Sequence, residues 1–142
     1  MRRKIGWMGV ILFLGLGVKA FAETIVTHET DKYFFKDGQM ERFDGQVENT
    51  YFLDEANNTL VRTRIYDFQT KKITPDETVY SIQNQLHSHP LNAANFSLAP
   101  VIRAFTQSGP DAVEMIQIEN EFVTTSLSTA NEFVVSRAKR LK

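Results

Sequence analysis

Residues 46–68, with the sequence QVENTYFLDEANNTLVRTRIYDF, decide the fold of this chain. Two runs rich in β-branched and aromatic side chains, 46–53 and 59–68, flank an Asx-rich break at 54–58. Such a break between two such runs is typical of a β-hairpin, because Asp and Asn close turns through their side chains and are depleted from strands. The stretch predicts two neighbouring antiparallel strands, and the remaining sequence is interpreted as further sheet.

Alternation of apolar and polar side chains continues after this hairpin. In the predicted strand 78–87, Tyr80, Ile82 and Leu86 fall on one face, and the residues between them are mostly polar. This pattern is typical of a sheet with one buried face. The other predicted elements are a strand at 32–36 with a turn at 36–38 in a less regular segment 24–43, a polar connection at 69–77, and strands at 101–106, 112–118, 122–127 and 132–138.

Together these signals give about seven or eight short strands and no long helical period, which indicates an all-β domain. A continuous antiparallel meander of this size removes its exposed edges most simply by closing on itself. We therefore expect a small up-and-down barrel that resembles the lipocalin and calycin group in architecture. A Gly-x-Trp motif on the first strand is typical of that group, whereas the only tryptophan here is Trp7. A half-open sheet and a two-sheet sandwich are the alternatives.

The first 22 residues have the three parts of a cleavable secretory signal peptide. A basic start is followed by an apolar run at 5–18 and by an Ala-x-Ala pattern that ends at Ala22. This arrangement predicts export with cleavage after Ala22, a single β-rich domain at 23–142, and a periplasmic or secreted location. No later apolar run approaches the ~20 residues of a membrane helix, so we expect no stable membrane insertion after cleavage.

Net charge, the absence of cysteine and the absence of two common motifs argue against several classes of function. Removal of the signal peptide leaves 12 basic against 17 acidic side chains, a formal charge of −5, so no binding to nucleic acid is expected. The chain has no cysteine, which excludes disulfides, a thiolate nucleophile, cysteine-ligated metals and a lipid anchor on cysteine. No Gly-rich phosphate loop and no Gly-x-Ser-x-Gly elbow occur, so we expect neither a cofactor nor nucleophilic catalysis.

The HSHP motif at 87–90 is the one motif with metal chemistry. On an extended chain His87 and His89 project to the same side, so both could reach one zinc ion if a third ligand converged on them. The motif resembles the JAMM-type metalloprotease signature, in which His-x-His-Pro is followed by Ser-x-x-Asp. Ser97 matches the serine of that signature, but Pro100 occupies the aspartate position and cannot ligate a metal. The alternative is a polar strand end that leads into a loop.

Arginines on predicted strands form the second candidate site. If Arg62 and Arg64 point into a barrel beside Tyr66, they could hold the carboxylate or phosphate of a small amphipathic ligand. Arg103, on a later predicted strand, is a further candidate for this site. The opposite phase of the alternation would bury the residues between the arginines and leave the arginines in water.

From fold class and export we expect a soluble binding module for a small, partly apolar ligand, without catalysis. Two other functions are compatible with the sequence. One is a structural, interaction or inhibitor protein of the cell envelope that uses an exposed sheet face or edge. The other is a metal-dependent hydrolase built around His87 and His89. The sequence predicts no particular protein partner.

Overall fold

The computed structural model describes residues 22–86 and 101–141. Across these two ranges the backbone forms antiparallel strands joined by short turns, and the ranges contain no helix. No helix long and apolar enough to cross a membrane is therefore found in the described residues. The strands are β1 (Ala22–Lys36), β2 (Gln39–Asp44), β3 (Val47–Asp54), β4 (Thr59–Asp67), β5 (Ile73–Leu86), β6 (Val101–Gly109), β7 (Ala112–Ile118), β8 (Phe122–Ser128) and β9 (Glu132–Leu141).

Eight of these strands close into a barrel. The sheet runs in the order β2-β1-β3-β4-β5-β6-β7-β8-β9, and β1 also pairs with β9. This last pairing joins the two ends of the meander and leaves β2 as an additional strand outside the closed ring. The expectation of a small antiparallel barrel is confirmed, and the closed form is found rather than a half-open sheet or a sandwich.

Strand β1 changes its partner on one side at its middle, and we call the junction between β2 and β3 at that level the bend. The first half of β1 pairs with β3, and the second half pairs with β2. At the bend a Cβ on Gly45 would lie 1.7 Å from the carbonyl oxygen of Glu29, so only glycine allows this approach. The backbone N–H of Gln46 donates to the Glu29 carboxylate at 2.7 Å. Beyond the bend, residues 31–44 form an arm that is attached to the barrel along β9.

One predicted connection is a strand in the structure. The sequence predicted a polar connection at 69–77, but β5 begins at Ile73. The Asp67 carboxylate accepts hydrogen bonds from the backbone N–H groups of Gln69 and Thr70, both at 2.8 Å, and so closes the turn early. Pro75 lies at a register shift between β4 and β5, a position where a sheet tolerates proline.

The barrel interior, which we call the lumen, has an apolar half and a polar half. The apolar half lies toward the barrel end that contains Ala22, and its side chains are buried. The polar half lies toward the end that carries the arm. The apolar core consists of Ile25, Tyr51, Leu53, Leu60, Tyr80, Ile102, Ala104, Ile116, Ile118 and Val123.

Candidate functional site

Arg62 lies in the polar half of the lumen, in a hydrogen-bonded cluster. Its Nε donates to Asp76 Oδ2 at 2.6 Å and its Nη1 donates to Glu114 Oε1 at 2.8 Å. The Tyr80 hydroxyl donates to the same Glu114 oxygen at 3.0 Å. Strands β4 and β7 are separated by β5 and β6, so the Arg62–Glu114 contact crosses the barrel interior. We call these four residues the lumenal cluster.

Burial, charge and hydrogen bonds shift the pKa values of Arg62, Asp76 and Tyr80. Burial by itself would lower the pKa of Arg62, but the charge of Glu114 and the hydrogen bond to Asp76 outweigh it and raise that pKa. Burial would also raise the pKa of Asp76, but hydrogen bonds from Thr78 and Arg62 lower it. Burial and the charge of Glu114 raise the pKa of Tyr80. Arg62 is thus bonded to two carboxylates, so its guanidinium is not free to bind the carboxylate or phosphate of a ligand through two parallel hydrogen bonds.

The four residues predicted to bind a ligand do not form one site. A register shift at Thr63 places Arg62 opposite Tyr51 and Arg64 opposite Thr50, so the two arginines lie on different faces of the sheet. The Arg64 Nη2 lies 3.4 Å from Glu48 Oε1 on the barrel exterior. The two remaining predicted residues also have neighbouring partners: Tyr66 packs edge-on against Phe68 with ring centroids 5.7 Å apart, and Arg103 donates to Gln117 at 3.2 Å.

The predicted metal ligands His87 and His89 lie outside the described residues, as do Ser97 and Pro100. His28, the remaining histidine, stacks on Phe68 with ring centroids 4.5 Å apart. Among the residues that the structure describes, no group of three or more His, Cys, Asp or Glu side chains is arranged to hold a metal ion.

The arm carries a surface that the sequence did not predict. Directly opposed residues of β7, β8, β9, β1 and β2 form a line across the outer face. The apolar members of this line are all exposed, and Met40, at its β2 end, is 61% exposed. Phe35 and Phe133 lie with ring centroids 5.8 Å apart. We call the line the outer apolar row; it consists of Val113, Ser128, Phe133, Phe35 and Met40.

The other face of the arm forms a groove of about 240 Å³. Its floor is aromatic, because Phe34 and Phe43 pack edge to face with centroids 5.1 Å apart. Its walls carry three carboxylates and one ammonium group, and the ammonium of Lys36 lies 3.4 Å from a carboxylate oxygen of Glu132. We call this the arm groove; it is lined by Phe34, Lys36, Asp37, Gln39, Glu41, Phe43 and Glu132.

Strand β2 is a free edge between these two surfaces. Among the described strands it pairs with β1 alone. Asp37 and Gly38 both have positive φ, 51° and 75°, which makes a two-residue hairpin turn. The residues that flank such a turn form a hydrogen-bonded pair, and hydrogen-bonded pairs alternate along an antiparallel ladder. The backbone N–H and C=O groups of Met40 and Arg42 therefore point away from β1, toward the free edge.

A larger hollow of about 730 Å³ lies at the opposite end of the barrel. Its walls are charged, and Arg140 and Glu23 form an ion pair within it. Charged walls do not suit the partly apolar ligand expected from the sequence. The chain segments outside the described residues also join the barrel at this end, at Ala22, Leu86, Val101 and Leu141.

Part of the arm had a signal in the sequence. Asp37-Gly38 is the dipeptide preferred in two-residue hairpins, and it correctly predicted the turn. The free edge had no such signal, since pairing partners depend on how the whole sheet closes. No protein-family model, curated protein or solved structure matches the chain.

Proposed function

We propose that this protein is an exported interaction module that binds an extended segment of a partner protein along strand β2. The observation that carries the proposal is the free β2 edge, which is flanked by the outer apolar row on one face and the arm groove on the other. An added strand gains main-chain hydrogen bonds from such an edge, and its alternate side chains enter the surfaces on either face. That the protein is exported is inferred from the signal-peptide pattern of its first 22 residues.

Free edges are a hazard in soluble proteins, because they recruit other chains. The rest of this chain limits the hazard by closing its sheet, and each barrel strand has a neighbour on both sides over at least part of its length. Residues 73–80 of β5 pair with β4 alone in the part of the chain that the structure describes. Strand β2, in contrast, pairs with β1 alone among the described strands, and all of its residues are exposed. An exposed apolar row that ends at the same edge supports an interface there.

A small-molecule ligand is the second candidate function, and the arm groove is the observation that favours it. At about 240 Å³ the groove is smaller than the roughly 300–1,000 Å³ of typical small-molecule sites. That volume suits a single side chain better than a whole ligand, so the extended segment is preferred.

The test is a selection of displayed random peptides of about 12 residues, the length of an added strand with flanks, on the purified protein. We expect binders whose affinity falls about tenfold or more in Met40→Pro, since proline removes an edge N–H donor. Met40→Thr is the matched control: it removes the same side chain but keeps the N–H, so its loss of affinity reports the side-chain contact alone and should be about threefold or more smaller than that of Met40→Pro.

The second pair, Arg42→Pro and Arg42→Thr, repeats the comparison two residues along the strand. Melting temperatures close to that of the unmodified protein show that the variants are folded. Binders that tolerate both proline variants would place recognition elsewhere and would contradict the proposal.

A further inference from the structure

We infer that the segment added to β2 places a Lys or Arg side chain in the arm groove and, next to it on the opposite face, an apolar side chain opposite Met40. This inference rests on the proposed function and specifies the chemistry of its partner. Three features of the arm carry it: the charges that β2 would present to a second copy of itself, the composition of the groove, and the apolar row on the opposite face.

Self-pairing of β2 is opposed by its own sequence. Two antiparallel strands related by a two-fold axis must place some residue opposite its own copy. For β2 the two registers that pair most of the strand are centred on Glu41 or on Arg42. The first would place two unpaired Glu41 carboxylates directly opposite one another, which destabilises a sheet. The second would do the same with two guanidinium groups, whose repulsion is reduced because each is bonded to Asp31 of its own copy. A different chain has no such constraint, so the edge favours a foreign strand over a second copy.

The arm groove selects for positive charge. Its carboxylates, from Asp37, Glu41 and Glu132, outnumber its single ammonium group, that of Lys36. Only Glu132 has that ammonium as a partner, at 3.4 Å. A strand added to β2 would place one side chain directly opposite Glu41, on the groove face.

A Lys or Arg at that position is favoured by two parts of the groove. Its alkyl portion would lie on the Phe34 and Phe43 rings, and its charged end would approach the carboxylates. The same aromatic floor already accepts a cation, since the Lys32 Nζ lies 5.7 Å from the Phe34 ring centre.

On the opposite face an apolar side chain is favoured at one position, opposite Met40; the next residue of β2 on this face is Arg42, which donates to Asp31. Met40 ends the outer apolar row at the free edge, and the Phe35 and Phe133 rings lie behind it. A neighbour of the basic residue on the added strand would point to this face, because successive side chains alternate. The expected partner segment therefore has a basic residue opposite Glu41 and, next to it, an apolar residue opposite Met40.

A double-mutant cycle on the selected peptides tests the inference. We expect the edge-dependent peptides to be enriched in Lys or Arg at one position with an apolar residue next to it. Replacing that residue with Gln should weaken binding to the unmodified protein about three- to tenfold, and should have little effect on binding to Glu41→Gln. Glu121→Gln, an exposed carboxylate at the opposite barrel end, is the matched control and should leave the peptide preference unchanged.

The outcomes separate the two proposals. Edge-dependent peptides without a basic residue, or without coupling to Glu41, would overturn the inference and leave the proposed function intact. The absence of edge-dependent peptides would overturn both. Dimers of the free protein that Met40→Pro dissociates, or capture of the chain's own N-terminal segment by β2, would also overturn the inference, since the occupant would then be this chain itself.

Discussion

At the scale of single residues, Tyr51 and Tyr80 show how differently two buried tyrosines can be used. Both are completely buried in the lumen. The Tyr80 hydroxyl donates to Glu114, whereas the Tyr51 hydroxyl has no hydrogen-bond partner among the described residues. Burial raises the pKa of Tyr51, and the nearby charge of Arg62 offsets part of that effect. The Arg62 Nε and Nη1 donate to Asp76 and Glu114.

Removal of the hydroxyl group should therefore have different effects on stability at the two tyrosines. Tyr80→Phe loses a hydrogen bond to a charged acceptor and should lower the free energy of unfolding by about 1.5 kcal/mol. Tyr51→Phe removes a buried hydroxyl without a partner and should leave the free energy of unfolding within about 0.5 kcal/mol of the unmodified protein, or raise it. Urea unfolding of both variants measures the two values. A loss for Tyr51→Phe as large as that for Tyr80→Phe would show that its hydroxyl is bonded after all.

The faces on which Arg62 and Arg64 lie could not be predicted from the sequence. Strict alternation predicts that Arg62 and Arg64 share a face, and both alternatives drawn from the sequence assumed it. The extra residue at Thr63 reverses the alternation, so one arginine enters the lumen and the other meets Glu48 outside. A bulge of one residue has no reliable signature in a single sequence, because any of several positions in a strand can absorb it.

At the scale of elements, the bend between β2 and β3 is what separates the arm from the barrel wall. Gly45 donates its N–H to the Thr30 carbonyl at 3.1 Å and approaches the Glu29 carbonyl too closely for a side chain. The register of β1 against β9 also shifts at this level, between Glu29 and Asp31. The sequence predicted a strand at 32–36 and a turn at 36–38 but neither β2 nor the contact at Gly45, since that contact is between residues 16 positions apart.

This contact predicts that Gly45→Ala is costly. Its Cβ would meet backbone atoms that cannot rotate away, so we expect the free energy of unfolding to fall by about 2–3 kcal/mol. Gly109→Ala is the control, because a Cβ there meets nothing within 4 Å, and its effect should stay within about 0.5 kcal/mol. Thermal and urea unfolding of the two variants give the comparison. Equal stability of both would mean that the backbone relaxes freely at the bend.

At the scale of the whole molecule, the closed barrel could be predicted from the sequence. Short strands with alternating side chains, joined by turns and unaccompanied by helical periods, predicted an all-β barrel, and the β1–β9 pairing completes it. The candidate site could not be predicted from the sequence, because it depends on β2, the strand that lies outside the closed ring. Strand β2 offers its backbone groups between an apolar row and an acidic groove, and only the assembled sheet brings those two surfaces to one edge.

Amide hydrogen exchange of single residues, with and without a selected peptide, tests this account most directly. Met40 and Arg42 direct their N–H groups to the free edge, whereas those of Gln39 and Glu41 are directed at β1. We expect the peptide to slow exchange at Met40 and Arg42 by about tenfold or more and to change exchange at Gln39 and Glu41 much less, because only the edge donors gain new partners. Protection by the peptide on other strands, with Met40 and Arg42 unchanged, would contradict it.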